Sequence, residues 1–164
     1  MPSDAGPSPQ EGNVPAPPLG SIACASVGNC RAVGTYRDKA GHDVPLLLAE
    51  RAGRWTPSVV SLSADAGGPL EAGLEVIARP GVADCLAAGS YPTKAQTVRP
   101  LLVAGQNGRW GRAVGVALPA EADEHRGGYF TSMSCPSAGA CVAVGEYADK
   151  TGDMPAMIVT ISRS

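Results

Sequence analysis

The residues of this chain best suited to chemistry are five cysteines, two histidines and a small set of tyrosines and arginines. Cys24 and Cys30 have five residues between them, and so do Cys135 and Cys141. Facing positions across a tight β-hairpin bring Cα atoms near the ~5.5 Å that a disulfide requires. Each pair is therefore expected to close a local bridge, contributing about 2–2.5 kcal/mol in the chain-entropy account. Zinc binding is the alternative, but the spacing exceeds that of the usual zinc knuckle and no histidine lies close by. Paired bridges favour an oxidising compartment, secreted or in the cell envelope, although no hydrophobic signal core is present in the sequence.

Cys85 lacks such a mate, because Arg79 stands in its place. A thiol beside a guanidinium is a candidate thiolate nucleophile, and the plainer reading is a small buried apolar side chain. His125, with Asp123 or Glu124 beside it, is the best candidate for acid–base work, since histidine titrates near neutrality. His42 next to Asp43 offers the same pairing. For both histidines a solvated loop is the competing reading. No phosphate-cradling glycine loop, His–Glu metal motif or Gly-x-Ser-x-Gly elbow occurs, so neither a cofactor nor a metal is expected.

Tyr36, Tyr91 and Tyr147 recur at separations of 55 and 56 residues. One aromatic residue per unit suits a multivalent site that stacks on sugar rings, and it equally suits packing between units. The residues following each tyrosine differ: His42-Asp43, then Thr97-Val98-Arg99, then Gly152-Asp153-Met154. Equivalent positions with unlike chemistry are how an asymmetric pocket arises. The three tyrosines with His42 and Arg99 are thus the candidate contacts for a small-molecule, sugar or peptide ligand.

These positions belong to an internal repeat, and the repeat must place them. Ile22 to Tyr36 aligns with Ile77 to Tyr91 and with Met133 to Tyr147. Cys30, Cys85 and Cys141 keep the spacing of the tyrosines, while Pro45, Pro100 and Pro155 are 55 apart, as are Trp55 and Trp110. In the first copy four apolar segments, Ser21 to Ala25, Cys30 to Tyr36, Val44 to Glu50 and Trp55 to Leu62, alternate with glycine-bearing turns. Their lengths and turns predict four antiparallel strands per copy. Leu70, Leu74 and Ile77 also fit a helix over 69–78, against which the repeat alignment argues. A third tryptophan falls due near position 165, so the fourth segment of the third copy is missing from the sequence. Either the N-terminal leader or a partner chain is expected to supply it.

The strings Ala32-Val33-Gly34, Ala87-Ala88-Gly89 and Ala143-Val144-Gly145, with Gly53-Arg54-Trp55 and Gly108-Arg109-Trp110, resemble β-propeller blades of the Asp-box and photosystem-assembly-factor type. The likeness covers 19 to 161 but lacks the Ser-x-Asp-x-Gly box, where Ala49-Glu50-Arg51-Ala52-Gly53 stands instead. It implies an architecture and no activity. A propeller ring takes four to eight blades, so three imply completion by self-association, two chains giving six. A three-fold trefoil or prism in a monomer, and a fragment of a longer propeller, are the competing arrangements.

The expected organisation is a Pro-rich flexible leader over 1–18 and an all-β domain over 19–164, divided at 19–72, 73–127 and 128–164. Net charge is 13 − 15 = −2, which gives no field for nucleic acid, and no apolar run is long enough for a membrane-spanning helix. The sequence favours a non-catalytic, lectin-like binding module for a carbohydrate, peptide or partner protein, acting as a homodimer. Its rivals are a small cofactor-free enzyme, with a site at the blade axis or subunit seam, and a purely structural role.

Overall fold

Short apolar runs interrupted by glycine turns form strands throughout the computed structural model, which describes residues 2–4, 19–67, 72–137 and 139–162. Most of the leader (5–18) and the stretch 68–71, which holds Leu70 of the alternative helix, lie outside the described residues. Leu74 and Ile77 of that alternative are in a strand. The fold is all-β, with three antiparallel sheets.

Sheet 1 holds β1 (Leu19–Ser26), β2 (Asn29–Arg37), β3 (Asp43–Arg51) and β4 (Arg54–Val59), each paired with the next. Sheet 2 holds β5 (Gly73–Ala78), β6 (Asp84–Pro92) and β7 (Val98–Gln106). Its fourth strand is split into β8 (Arg109–Trp110) and β9 (Val114–Gly115), both against β7. Sheet 3 comprises β10 (Gly128–Ser137), β11 (Ala140–Tyr147) and β12 (Ala156–Ser162). The hairpins β3–β4 and β7–β8 turn through Ala52-Gly53 and Asn107-Gly108, where both residues of each turn have positive φ. That conformation matches the twist of the flanking strands.

Registers coincide from sheet to sheet. Gly34, Gly89 and Gly145 pair with Leu46, Leu101 and Met157 on the outer side. On the inner side a β-bulge follows Leu19, Leu74 and Phe130, their partners in the first strand of each sheet. A Cβ at Gly89 would collide with the Gly73 carbonyl, and one at Gly145 with the Tyr129 carbonyl. The bulge thus explains why glycine recurs at this position. Pro155 proves to be one place out of step: Ala156 lies opposite Glu146, as Pro45 lies opposite Thr35 and Pro100 opposite Ser90. Its spacing of 55 is a coincidence, because one extra residue between Trp110 and Glu121 sets the true equivalents in sheets 2 and 3 56 apart, as Pro100 and Ala156 are.

Strand alternation gives each sheet a front face, bearing the tyrosine, and a back face. The back of sheet 1 (Val33, Leu47) packs on the front of sheet 2 (Leu74, Ile77, Ala87, Tyr91, Leu101, Val103). The back of sheet 2 (Val76, Ala88) packs on the front of sheet 3 (Phe130, Ala143, Tyr147, Met157). Both seams therefore use the same geometry. The back of sheet 3 is different: Val144 is 38 % exposed and Ile158 72 %, where their counterparts Val33 and Leu47 are 0 % and 1 % exposed.

If the seams hold the sheets together, truncating one of their side chains must be expensive. Leu47→Ala is expected to lower unfolding free energy by about 2–5 kcal/mol, read from urea denaturation. A loss below about 1 kcal/mol would show that the seam is loosely packed.

Candidate functional site

Each candidate ligand-binding tyrosine projects its ring into the interior and its hydroxyl toward the segment leading into its own sheet. Tyr36 Oη donates to Asp4 at 2.8 Å, Tyr91 Oη to Asp65 at 2.9 Å and Tyr147 Oη to Glu121 at 2.8 Å. The turn that follows the tyrosine completes the contact. The amides of Lys39, Lys94 and Lys150 donate to the carbonyls of Asp4, Asp65 and Glu121 at 2.9, 2.9 and 3.0 Å. Their ammonium groups donate to the preceding carbonyls of Ser3, Ala64 and Ala120 at 3.1, 3.0 and 2.8 Å. Every sheet thus closes a three-point clasp on its incoming segment.

The clasp was hidden in the sequence. Its acidic members carry no motif, although Asp65 to Tyr91 and Glu121 to Tyr147 share a separation of 26 residues. In the first copy the separation is 32, and Asp4 falls within the span read as leader. The tyrosine rings are buried, so they present no face for a sugar to stack on. Burial, helped by the Asp4 carboxylate, pushes the Tyr36 hydroxyl up to about 12. Tyr91 is raised chiefly by burial, and Tyr147 chiefly by its hydrogen bond to Glu121.

The turns holding the lysines are themselves fixed by side-chain caps. Asp38 Oδ1 accepts the amides of Ala40 and His42, and Asp149 Oδ1 those of Thr151 and Asp153. His42 directs Nδ1 to Asp38 Oδ2 at 3.2 Å, whereas Asp43 binds Arg37 at 2.9 and 3.1 Å. The carboxylate that His42 meets is therefore not its sequence neighbour. His125 is exposed, with Nδ1 3.2 Å from the Gln96 carbonyl. Asp123 accepts the backbone amide of His125 rather than orienting its ring. Arg99 binds Asp65 at 2.8 Å and lines a surface cleft of about 230 Å³ with Thr97, Leu118 and Glu124.

The cysteines divide as their spacing predicts, with disulfides Cys24–Cys30 and Cys135–Cys141 and a free, buried Cys85. Both bridges span the hairpin between the first two strands of their sheet. Burial pushes the Cys85 thiol up despite the nearby guanidinium groups of Arg79 and Arg31. Arg79, which faces Cys85, also donates to the Asn29 carbonyl at 2.6 Å, Asn29 Oδ1 at 3.1 Å and the Val82 carbonyl at 2.6 Å. It ties sheet 2 to the first hairpin of sheet 1. The gap beside Cys85 is about 10 Å³, room for a single water and no substrate.

Cys85 and Arg79 lie at one end of β6, while Tyr91, Arg99 and the His125 loop lie at the other. Six residues of strand separate them, about 20 Å. The candidate catalytic residues are therefore not assembled into one site. Among the described residues, no group of three His, Cys, Asp or Glu side chains could hold a metal ion. Neither tryptophan lies fully inside a seam: Trp55 is exposed, and Trp110 stacks over Gly105 of its own sheet at the edge of the first seam.

One half-buried acid does lie between sheets. Glu75, at the bulge of β5, accepts Ser90 Oγ at 2.9 Å and the Phe130 amide at 3.1 Å. It joins sheet 2 to the first strand of sheet 3, and burial raises its carboxyl above the usual range. No family model, curated protein or solved structure matches this chain.

Two pH effects follow from these groups. The raised Tyr36 value stabilises the fold below about pH 10, the ordinary phenol value, and that contribution is lost as pH rises through about 12. Ultraviolet titration of a Tyr36→Phe variant against the wild type should assign the latest-appearing phenolate to Tyr36; an early phenolate would dissolve its clasp. Glu75 has the same sense at lower pH: its ionised form is disfavoured by folding, so stability falls as pH rises past the ordinary carboxyl value. Glu75→Gln should thus melt higher than the wild type at pH 8, with the gap closing below about pH 4. An unchanged gap would place its effect in packing rather than charge.

Proposed function

We propose that this chain is a non-catalytic binding module, a propeller-like array of stacked sheets that docks a partner protein on the back face of sheet 3. The observation that carries this reading is the contrast between Ile158, 72 % exposed, and Leu47, 1 % exposed, at equivalent positions. Val142, Val144 and Ile158 form a patch with the chemistry of a seam and no sheet against it. Exposed apolar patches of this kind, rimmed here by Ser132, Ser134, Glu146 and Thr160, mark protein interaction sites.

The remaining surfaces support binding over catalysis. The tyrosine hydroxyls are committed to clasps, Cys85 is enclosed, and the histidines lack a shared pocket with any nucleophile. Two intrachain disulfides fit an oxidising location, and we place the module outside the cytoplasm. No helix is long and apolar enough to cross a membrane among the described residues.

A photoreactive amino acid at Thr160, on the bare face, tests the reading. Cross-linking should yield protein adducts of defined mass, and Val144→Asp/Ile158→Asp should reduce their yield at least about tenfold, the factor that 1.4 kcal/mol of lost binding produces. Circular dichroism should not change. Absence of any protein adduct at 160 would overturn the proposal.

A further inference from the structure

We infer that the end of the first seam, where Arg31, Arg51 and Arg79 come together, binds a dianionic tetrahedral oxyanion, a phosphate or sulfate group. The site lies apart from the bare face of sheet 3 and does not depend on the docking role proposed for that face.

Strand alternation sets these arginines toward one another. Arg31 shares the side of Val33 on β2 and Arg51 the side of Leu47 on β3, so both belong to the back of sheet 1. Arg79, just past β5, shares the side of Ile77 on the front of sheet 2. Backbone contacts draw the group together. Arg79 donates to the Asn29 carbonyl at 2.6 Å, two residues from Arg31, and Arg31 Nη1 donates to the Glu50 carbonyl at 3.4 Å, next to Arg51. Arg54 adds a fourth charge directly opposite Arg51 across the β3–β4 hairpin.

Like charges held this way repel. Arg31 is only 5 % exposed. Burial and the Arg79 guanidinium push its own guanidinium down, Arg51 adds to this, and Cys85 acts the other way. Cys85 does not neutralise the group, because burial pushes its thiol up. Arg79 Nε is buried without a hydrogen-bond partner among the described residues. Glu50 and Asp84 alternate to the opposite faces of β3 and β6. The ion pairs among the described residues include none of the three arginines. Buried charge is costly unless it is paired, and the counter-charge that fits here is an anion from outside the chain.

The fold itself does not require arginine at this place. At the equivalent end of the second seam, Leu86 stands for Arg31, Gln106 for Arg51, and the Cys135–Cys141 disulfide for Arg79 and Cys85. Leu86 and Cys141 line the same small gap there. A neutral set closes that seam, so the charge in the first is a departure from the repeat, and such departures concentrate at functional sites. Guanidinium forks match the oxygens of phosphate and sulfate in pairs, and three of them suit a dianion better than a single carboxylate.

Calorimetric titration of the full chain with sulfate, inorganic phosphate and phenyl phosphate, at about pH 8 and constant ionic strength in chloride, tests the inference. The wild type should bind at least one of them with a Kd of about 1 mM or tighter. Arg31→Leu and Arg51→Gln, which copy the second seam, should each weaken binding about tenfold or more, the worth of a charge-assisted hydrogen bond. Arg51 is exposed, so its variant serves if Arg31→Leu fails to fold. Arg126→Gln removes the same charge beside the β11–β12 turn, at the opposite end of the sheets, and should bind as the wild type does. Phenyl phosphate binding more tightly than inorganic phosphate would assign the site to an ester, and equal binding to the free ion. Three outcomes would overturn the site: no probe binding below about 10 mM, Arg126→Gln weakening binding as much as Arg51→Gln, or Arg51→Gln binding like the wild type, which would mark an adventitious ion only.

Discussion

A β-sheet has two faces, and the middle strands of sheets 1 and 2 are apolar on both. Along β2 and β6, residues pointing to opposite sides are buried alike: Ala32 and Val33 in one, Ala87 and Ala88 in the other. No sheet with such strands can stand alone in water, because covering one face leaves the other wet. Stacking front on back is the solution adopted twice here, and the small side chains of the Ala-Val-Gly strings set how closely the sheets approach. The core is thus shared between sheets rather than owned by any one of them.

Stacked sheets also need connecting segments that do not wander, and the clasps supply this. Each uses a buried aromatic ring as the anchor and a surface carboxylate as the catch, with two lysine contacts to the backbone beside it. The carboxylates remain accessible to solvent, so their individual energies are modest. Their effect lies in geometry: the chain entering each sheet is held against the turn between its second and third strands. Glu75 and Arg79 add polar ties across the two seams, one to the Phe130 amide and one to the Asn29 carbonyl.

Much of this was legible in the sequence because it depends on spacing. Three sheets, their antiparallel order and both disulfides follow from cysteine, glycine and tyrosine positions kept in phase. The glycines could be located from the sequence, but their cause, a bulge in the strand beside them, required coordinates. Pro155 shows the limit of counting, since one added residue in the segment between sheets 2 and 3 moves every later equivalent by one while leaving a plausible interval of 55. The clasp acids escaped because Asp4, Asp65 and Glu121 act through single long-range contacts, and a connecting segment of different length in the first copy breaks their periodicity. Arg79 was legible as an anomaly and not as a tie, because its partner Asn29 is 50 residues away. Cys85 and Arg79 lie a strand's length from His125 and Asp123, a distance that sequence spacing does not report, and adjacent His42 and Asp43 take different partners, Asp38 and Arg37.

The placement of the two disulfides has a consequence for how the fold comes apart. An array whose units touch only their neighbours behaves as a one-dimensional cooperative chain, and its terminal units fray first, having one coupling energy where the central unit has two. Sheets 1 and 3 are those terminal units, and each has its inner hairpin covalently fastened. Sheet 2, held from both sides, carries Cys85 reduced and an arginine where the other sulfur would be. The covalent reinforcement sits where nearest-neighbour coupling is weakest.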